Sequence, residues 1–95
     1  MFSRQKLIDT TSSADTAMDK GDLDRAETLY TKAIIIAEKM YGKNCVSVAS
    51  LLMSLVRLYK KRGDDWQADF LKLKIQEILA TPVEISGQFR KLQEQ

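Results

Sequence analysis

The stretch Gly21-Asp22-Leu23-Asp24-Arg25-Ala26-Glu27-Thr28-Leu29 has an echo 42 residues further on, where Gly63-Asp64 is followed by Ala68 and Leu71 at the same offsets. In each copy the glycine ends one helical pattern and the aspartate begins another. Glycine takes the left-handed conformation that stops a helix, and the short aspartate side chain caps the first free N–H groups of the next. Two helices per period of 42 residues predict stacked helical hairpins, since a lone hairpin cannot bury its apolar face. Such an organisation points to binding or assembly rather than to catalysis.

Working outward, the segment before Gly21 reads as a first helix from about Ser3 to Lys20, with Leu7, Ile8, Thr11, Ala14, Ala17 and Met18 at helical spacing. Its Thr10-Thr11-Ser12-Ser13 run is a poor helix former. The second helix runs from Asp22 to about Met40, with Ala26 and Ala33 small enough to let paired backbones approach. Ile35 and Ile36 widen its stripe, which predicts burial on two sides. Gly42-Lys43-Asn44 is a connector. The third helix, about Val46 to Arg62, is apolar nearly all round and is the expected centre of the core. Its Lys60-Lys61-Arg62 end suits the negative end of the helix dipole. The fourth helix spans about Asp65 to Ala80. Thr81-Pro82 closes it, because the residue before proline avoids helical geometry. Val83, Ile85, Phe89 and Leu92 then predict a short terminal helix.

Composition fits this reading. The chain has 95 residues, enough for one small domain, with 44% apolar and 29% charged residues. Aromatic residues are only 7%, so the core is aliphatic. Net charge is +2, too small for the basic stripe of a nucleic-acid binder. One cysteine, Cys45, and no histidine exclude an internal disulfide and a zinc cluster. The start of the chain lacks a signal-peptide pattern, and no apolar run is long enough to span a bilayer, so the expected location is cytoplasmic.

The residues from Ala26 to Leu71 resemble tetratricopeptide repeats, in particular the long-period form of kinesin light chains. The resemblance rests on Gly21-Asp22-Leu23-Asp24-Arg25-Ala26, on Leu29-Tyr30 and Ala33-Ile34, on Tyr41-Gly42-Lys43-Asn44, and on the second Gly63-Asp64 with Ala68. Cys45-Val46 stands where that form often has His-Pro, and Lys72 stands where the first copy has Tyr30. A three-helix bundle of the kind found in microtubule-interacting and trafficking proteins shares the Ala26-Leu29-Tyr30-Ala33-Ile34 helix but lacks a second Gly-Asp at this period.

The resemblance implies an all-α fold: a right-handed α-solenoid of two hairpins, repeat one at about 3–41 and repeat two at about 45–80, with a C-terminal capping helix at about 82–94. It also implies a non-catalytic module that binds a partner peptide or helix in a concave groove lined by the first helix of each pair. By offset from the glycines, Ile8 would face Ser50, Thr11 would face Met53, Asp15 would face Arg57, Met18 would face Lys60 and Asp19 would face Lys61. Asp15 and Arg57 either neutralise each other or meet a ligand. The alternative function is a self-associating scaffold subunit, a homodimer anchored by Trp66, Phe70 or Phe89; the competing reading has these residues complete the monomer core. No enzyme activity, metal or cofactor is expected: the chain has no histidine base and no phosphate-binding glycine loop, and Asp64-Asp65 read as capping residues.

Overall fold

The computed structural model describes residues 3–80. They form α1 (Arg4–Asp19), α2 (Leu23–Tyr41), α3 (Val46–Arg62) and α4 (Asp65–Ala80), and no strand occurs among the described residues. The expected terminal helix, Phe89 included, lies outside the described residues. Each helix packs on the next, α1 on α2, α2 on α3 and α3 on α4. The tight Gly-Asp turns fold α1–α2 and α3–α4 into hairpins.

The two turns repeat each other bond for bond. Gly21 and Gly63 both have φ of 81°, a left-handed conformation that side chains disfavour. Gly21 N–H donates to the Met18 carbonyl at 3.0 Å and Asp22 N–H to Ala17 at 2.9 Å. Forty-two residues on, Gly63 N–H donates to Lys60 at 3.0 Å and Asp64 N–H to Tyr59 at 2.8 Å. This crossed pair satisfies carbonyls that would otherwise be orphaned at the helix end. The aspartates then cap: Asp22 Oδ1 accepts from Arg25 N–H at 3.3 Å, and Asp64 Oδ1 from Gln67 N–H at 3.2 Å. Ser3 starts α1 in the same way, accepting from Lys6 N–H at 3.1 Å. Cys45 precedes α3 without a side-chain cap.

The hydroxyl run does not interrupt α1, which continues through Thr10–Ser13. Packing against α2 outweighs weak local propensity there, and Ala14, Ala17 and Met18 are buried. Ala26, at the start of α2, is fully buried as well, so small residues set the close approach of the first hairpin. On α2 the expected widening is half met: Ile36 is buried but Ile35 is 45% exposed.

α3 is the centre of the core. Val48, Ala49, Leu51, Leu52, Leu55, Val56, Leu58 and Tyr59 are all buried, because the helix has α2 on one flank and α4 on the other. Full burial of one leucine contributes about 1.5–3 kcal/mol, so α3 anchors both hairpins. A polar clamp adds direction. Tyr59 O–H donates to the Glu27 carboxylate, Arg62 Nη1 reaches Glu27 at 2.9 Å, and Arg62 Nη2 reaches Asp24 at 2.7 Å. The Arg62 guanidinium also lies over the Tyr59 ring, 5.7 Å from its centroid. The clamp fixes the end of α3 against the start of α2.

Candidate partner-binding face

The first helices of the two hairpins, α1 and α3, share one open face. At one end, Leu7 and Thr11 of α1 meet Val46, Ser47, Ser50 and Leu51 of α3 around a cleft of about 370 Å³. At the other end, three helices contribute to a polar cluster. Tyr30 rises from the core of α2, and its O–H donates to the Asp15 carboxylate on α1. Ser54 and Arg57 of α3 close the cluster: both act on the Tyr30 phenol, and Arg57 Nη2 donates to Ser54 Oγ at 3.3 Å. Burial, then the Asp15 carboxylate, pushes the Tyr30 phenol up to about 12. Tyr59 is raised to about 12 for the same reasons, with Glu27 as its carboxylate. The Tyr59 hydrogen bond, followed by Arg62, holds Glu27 below the usual carboxylate range.

This placement corrects the expected facing pairs. Thr11 does share a cleft with Ser50, but Met53 lines a different groove, on the α4 flank of α3. Met18 is buried, so it belongs to the core and does not line the open face. Asp15 and Arg57 do come to the same cluster. They form no ion pair with each other there, because Asp15 accepts from Tyr30 and Arg57 turns to Ser54. Lys60 and Lys61 are exposed at the end of α3. Lys60 stands beside Lys72 of α4 and lowers its pKa.

Sequence reasoning missed Tyr30 and Ser54 as site-forming residues, and the clamp of Glu27, Tyr59 and Arg62 that holds α3 to α2. Both tyrosines read as apolar core residues. A buried tyrosine must still find a partner for its O–H, which signals a nearby acceptor but does not say which one. The expected anchors Trp66 and Phe70 lie on the surface, 75% and 57% exposed, with rings stacked 5.9 Å apart. They do not complete the core of the described residues.

Among the described residues no group of His, Cys, Asp and Glu is arranged to hold a metal, and no helix is long and apolar enough to cross a membrane. No family model, curated protein or solved structure matches the chain.

Proposed function

We propose that the chain is a non-catalytic, cytoplasmic protein-interaction module. Its two hairpins stack as a short right-handed solenoid of tetratricopeptide type, and its α1–α3 face receives a partner's peptide or helix. The observation that carries this reading is the 42-residue recurrence of the Gly-Asp turns. The two turns share one geometry, and residues of the two first helices, Leu7 and Thr11 of α1 and Ser50 of α3, line one cleft. The face offers mixed chemistry: an apolar and hydroxyl-lined cleft at Leu7, Thr11 and Ser50, and a charged end at Asp15 and Arg57. Such a face suits an extended or helical segment of mixed polarity.

A photo-reactive residue at Ser50, on this face, should capture a partner from lysate. The same group at Thr31, exposed on α2, should capture none. Equal capture from both positions would end the reading.

A second reading is self-association. Trp66 and Phe70, stacked and exposed on α4, favour it, because large aromatic side chains dominate interface energetics. Light scattering behind a sizing column should then show a dimer that Trp66→Glu converts to monomer with helicity unchanged. A monomer at every concentration for the unmutated chain would rule it out.

A further inference from the structure

On the other flank of α3 lies a second groove, of about 420 Å³, floored by Val56 and Ile75 and edged by Met53, Leu79, Arg57 and Lys72. It shares Arg57 with the α1–α3 face but does not depend on that reading. Moved back by 42 residues, this groove becomes the one between α1 and α2. There Ala14, Ala33 and Ala37 take the places of Val56, Ile75 and Leu79, and all three are 0% exposed. α3 packs along α2 beside that groove, and Tyr30, in the place of Lys72, meets Ser54 and Arg57 of α3. The first hairpin thus lies against an α-helix, α3, whose buried residues are mostly aliphatic. On the second hairpin Leu79 and Met53 remain 57% and 45% exposed.

Two differences between the grooves define the occupant. The floor is bulkier, with branched side chains where the first hairpin has alanine, so the incoming helix needs small residues at the contact. The rim is cationic. Arg57, Lys60 and Lys72 stand where the first hairpin has Asp15, Met18 and Tyr30. Lys60 is near enough to lower the pKa of Lys72, and Asp69, 3.9 Å from Lys72, offsets only part of this charge. A second copy fits poorly. Its α1 flank presents Lys6, Asp9, Ser13 and Thr16, all exposed and polar, and its own α3–α4 groove would bring two cationic rims together.

We propose that the α3–α4 groove binds an amphipathic α-helix of a partner protein, with small apolar residues against Val56 and Ile75 and carboxylates against Arg57, Lys60 and Lys72.

The probes are two designed helices of about 18 residues, with one Ala-rich apolar face in common and flanks of glutamate in one and lysine in the other. Nuclear magnetic resonance of the full chain reads which methyl groups respond. The glutamate helix should shift the methyls of Met53, Val56, Ile75 and Leu79, and its affinity should fall as salt rises. The lysine helix should bind at least about tenfold more weakly. Arg57→Glu with Lys72→Glu should weaken the glutamate helix about tenfold or more and reverse the preference. Both side chains are exposed, so an unchanged circular dichroism melt verifies the fold of this variant. Equal binding of the two helices, or shifts confined to the α1–α3 face, overturns the proposal. So do contacts in the free protein between the groove methyls and Val83–Leu92, which make the chain its own occupant. Groove shifts that follow protein concentration make the occupant a second copy and overturn it too.

Discussion

α1 and α3 hold the same place in their hairpins and differ in one flank. On α3, Val48, Leu51, Leu55 and Leu58 are buried, and the helix packs on α2 of the preceding hairpin as well as on α4. Forty-two residues earlier the same positions of α1 are Lys6, Asp9, Ser13 and Thr16, all exposed. The backbone and turn chemistry are shared, so neither distinguishes an inner helix from an outer one. Four side chains do. A flank of leucines requires a neighbour, and a flank of charges and hydroxyls is complete in water. On α4, the last helix of the described residues, Trp66, Phe70, Leu73 and Leu79 are exposed.

The contrast can be broken directly. Giving α1 the flank of α3, by Lys6→Val, Asp9→Leu, Ser13→Leu and Thr16→Leu together, makes that flank apolar. A contact of that α1 flank with the exposed apolar residues of α4 in another copy does not close on itself. Sedimentation velocity should show open-ended association that grows with concentration, absent from the unmutated chain. Next in size, Leu58→Ala should cost about 2–5 kcal/mol in a denaturant melt, because it leaves a cavity in a fully buried site. Its counterpart Thr16→Ala should stay within about 0.5 kcal/mol, since the Thr16 hydroxyl only returns to the Ser12 carbonyl of its own helix.

Ala33→Ile sharpens the comparison from the other side. Ile75 is the natural residue at that place in the second hairpin, but Ala33 is 0% exposed, and the added bulk has no room. A loss of about 1–3 kcal/mol is expected in the same melt. Gly21→Ala and Gly63→Ala should cost the same, about 1 kcal/mol each. Nothing lies within 4 Å of an added Cβ at either place, so only the left-handed backbone is penalised. Unequal costs would show that the two turns are not equivalent.

The smallest effects concern pH. Tyr30 and Tyr59 have folded-state values raised from 10.0 to about 12. Their contribution to stability is complete below pH 10.0 and is lost as pH rises toward 12. Glu27 is lowered from 4.5, so its contribution is complete above pH 4.5 and is lost as pH falls through its folded value. Glu27→Gln should remove part of the acid-side slope and cost about 1 kcal/mol or less at neutral pH, the site being partly solvated. Its alkaline slope should persist through Tyr30, which answers to Asp15 instead.

Much of the fold was legible because its signals are local. Gly21, Asp22, Gly63 and Asp64 act on bonds within four or five residues of themselves, and the ends of α1 and α3 and the starts of α2 and α4 follow from them. Thr10–Ser13 misled only about strength, since propensity yields to the packing of Ala14 and Ala17. The site was less legible. Helical spacing puts Met18 on a stripe with Thr11 and Asp15, but the rotation of α1 against α2 turns Met18 inward, and no single helix encodes that angle. The partnership of Tyr59 with Glu27 spans 32 residues and two helices. Only the interhelical geometry brings them together.

The recurrence of the Gly-Asp turn has a consequence for how the gene can change length. The 42 codons from Asp22 to Gly63 begin just after one helix stop and end on the next. A tandem duplication of that block would rejoin glycine to aspartate at the new junction, the same join the chain already makes twice. An insertion of one or two residues inside α2 or α3 would instead rotate every later side chain of that helix about its axis. Duplication in steps of 42 residues therefore preserves the Gly-Asp join, and Gly21 and Gly63 are its natural splice points.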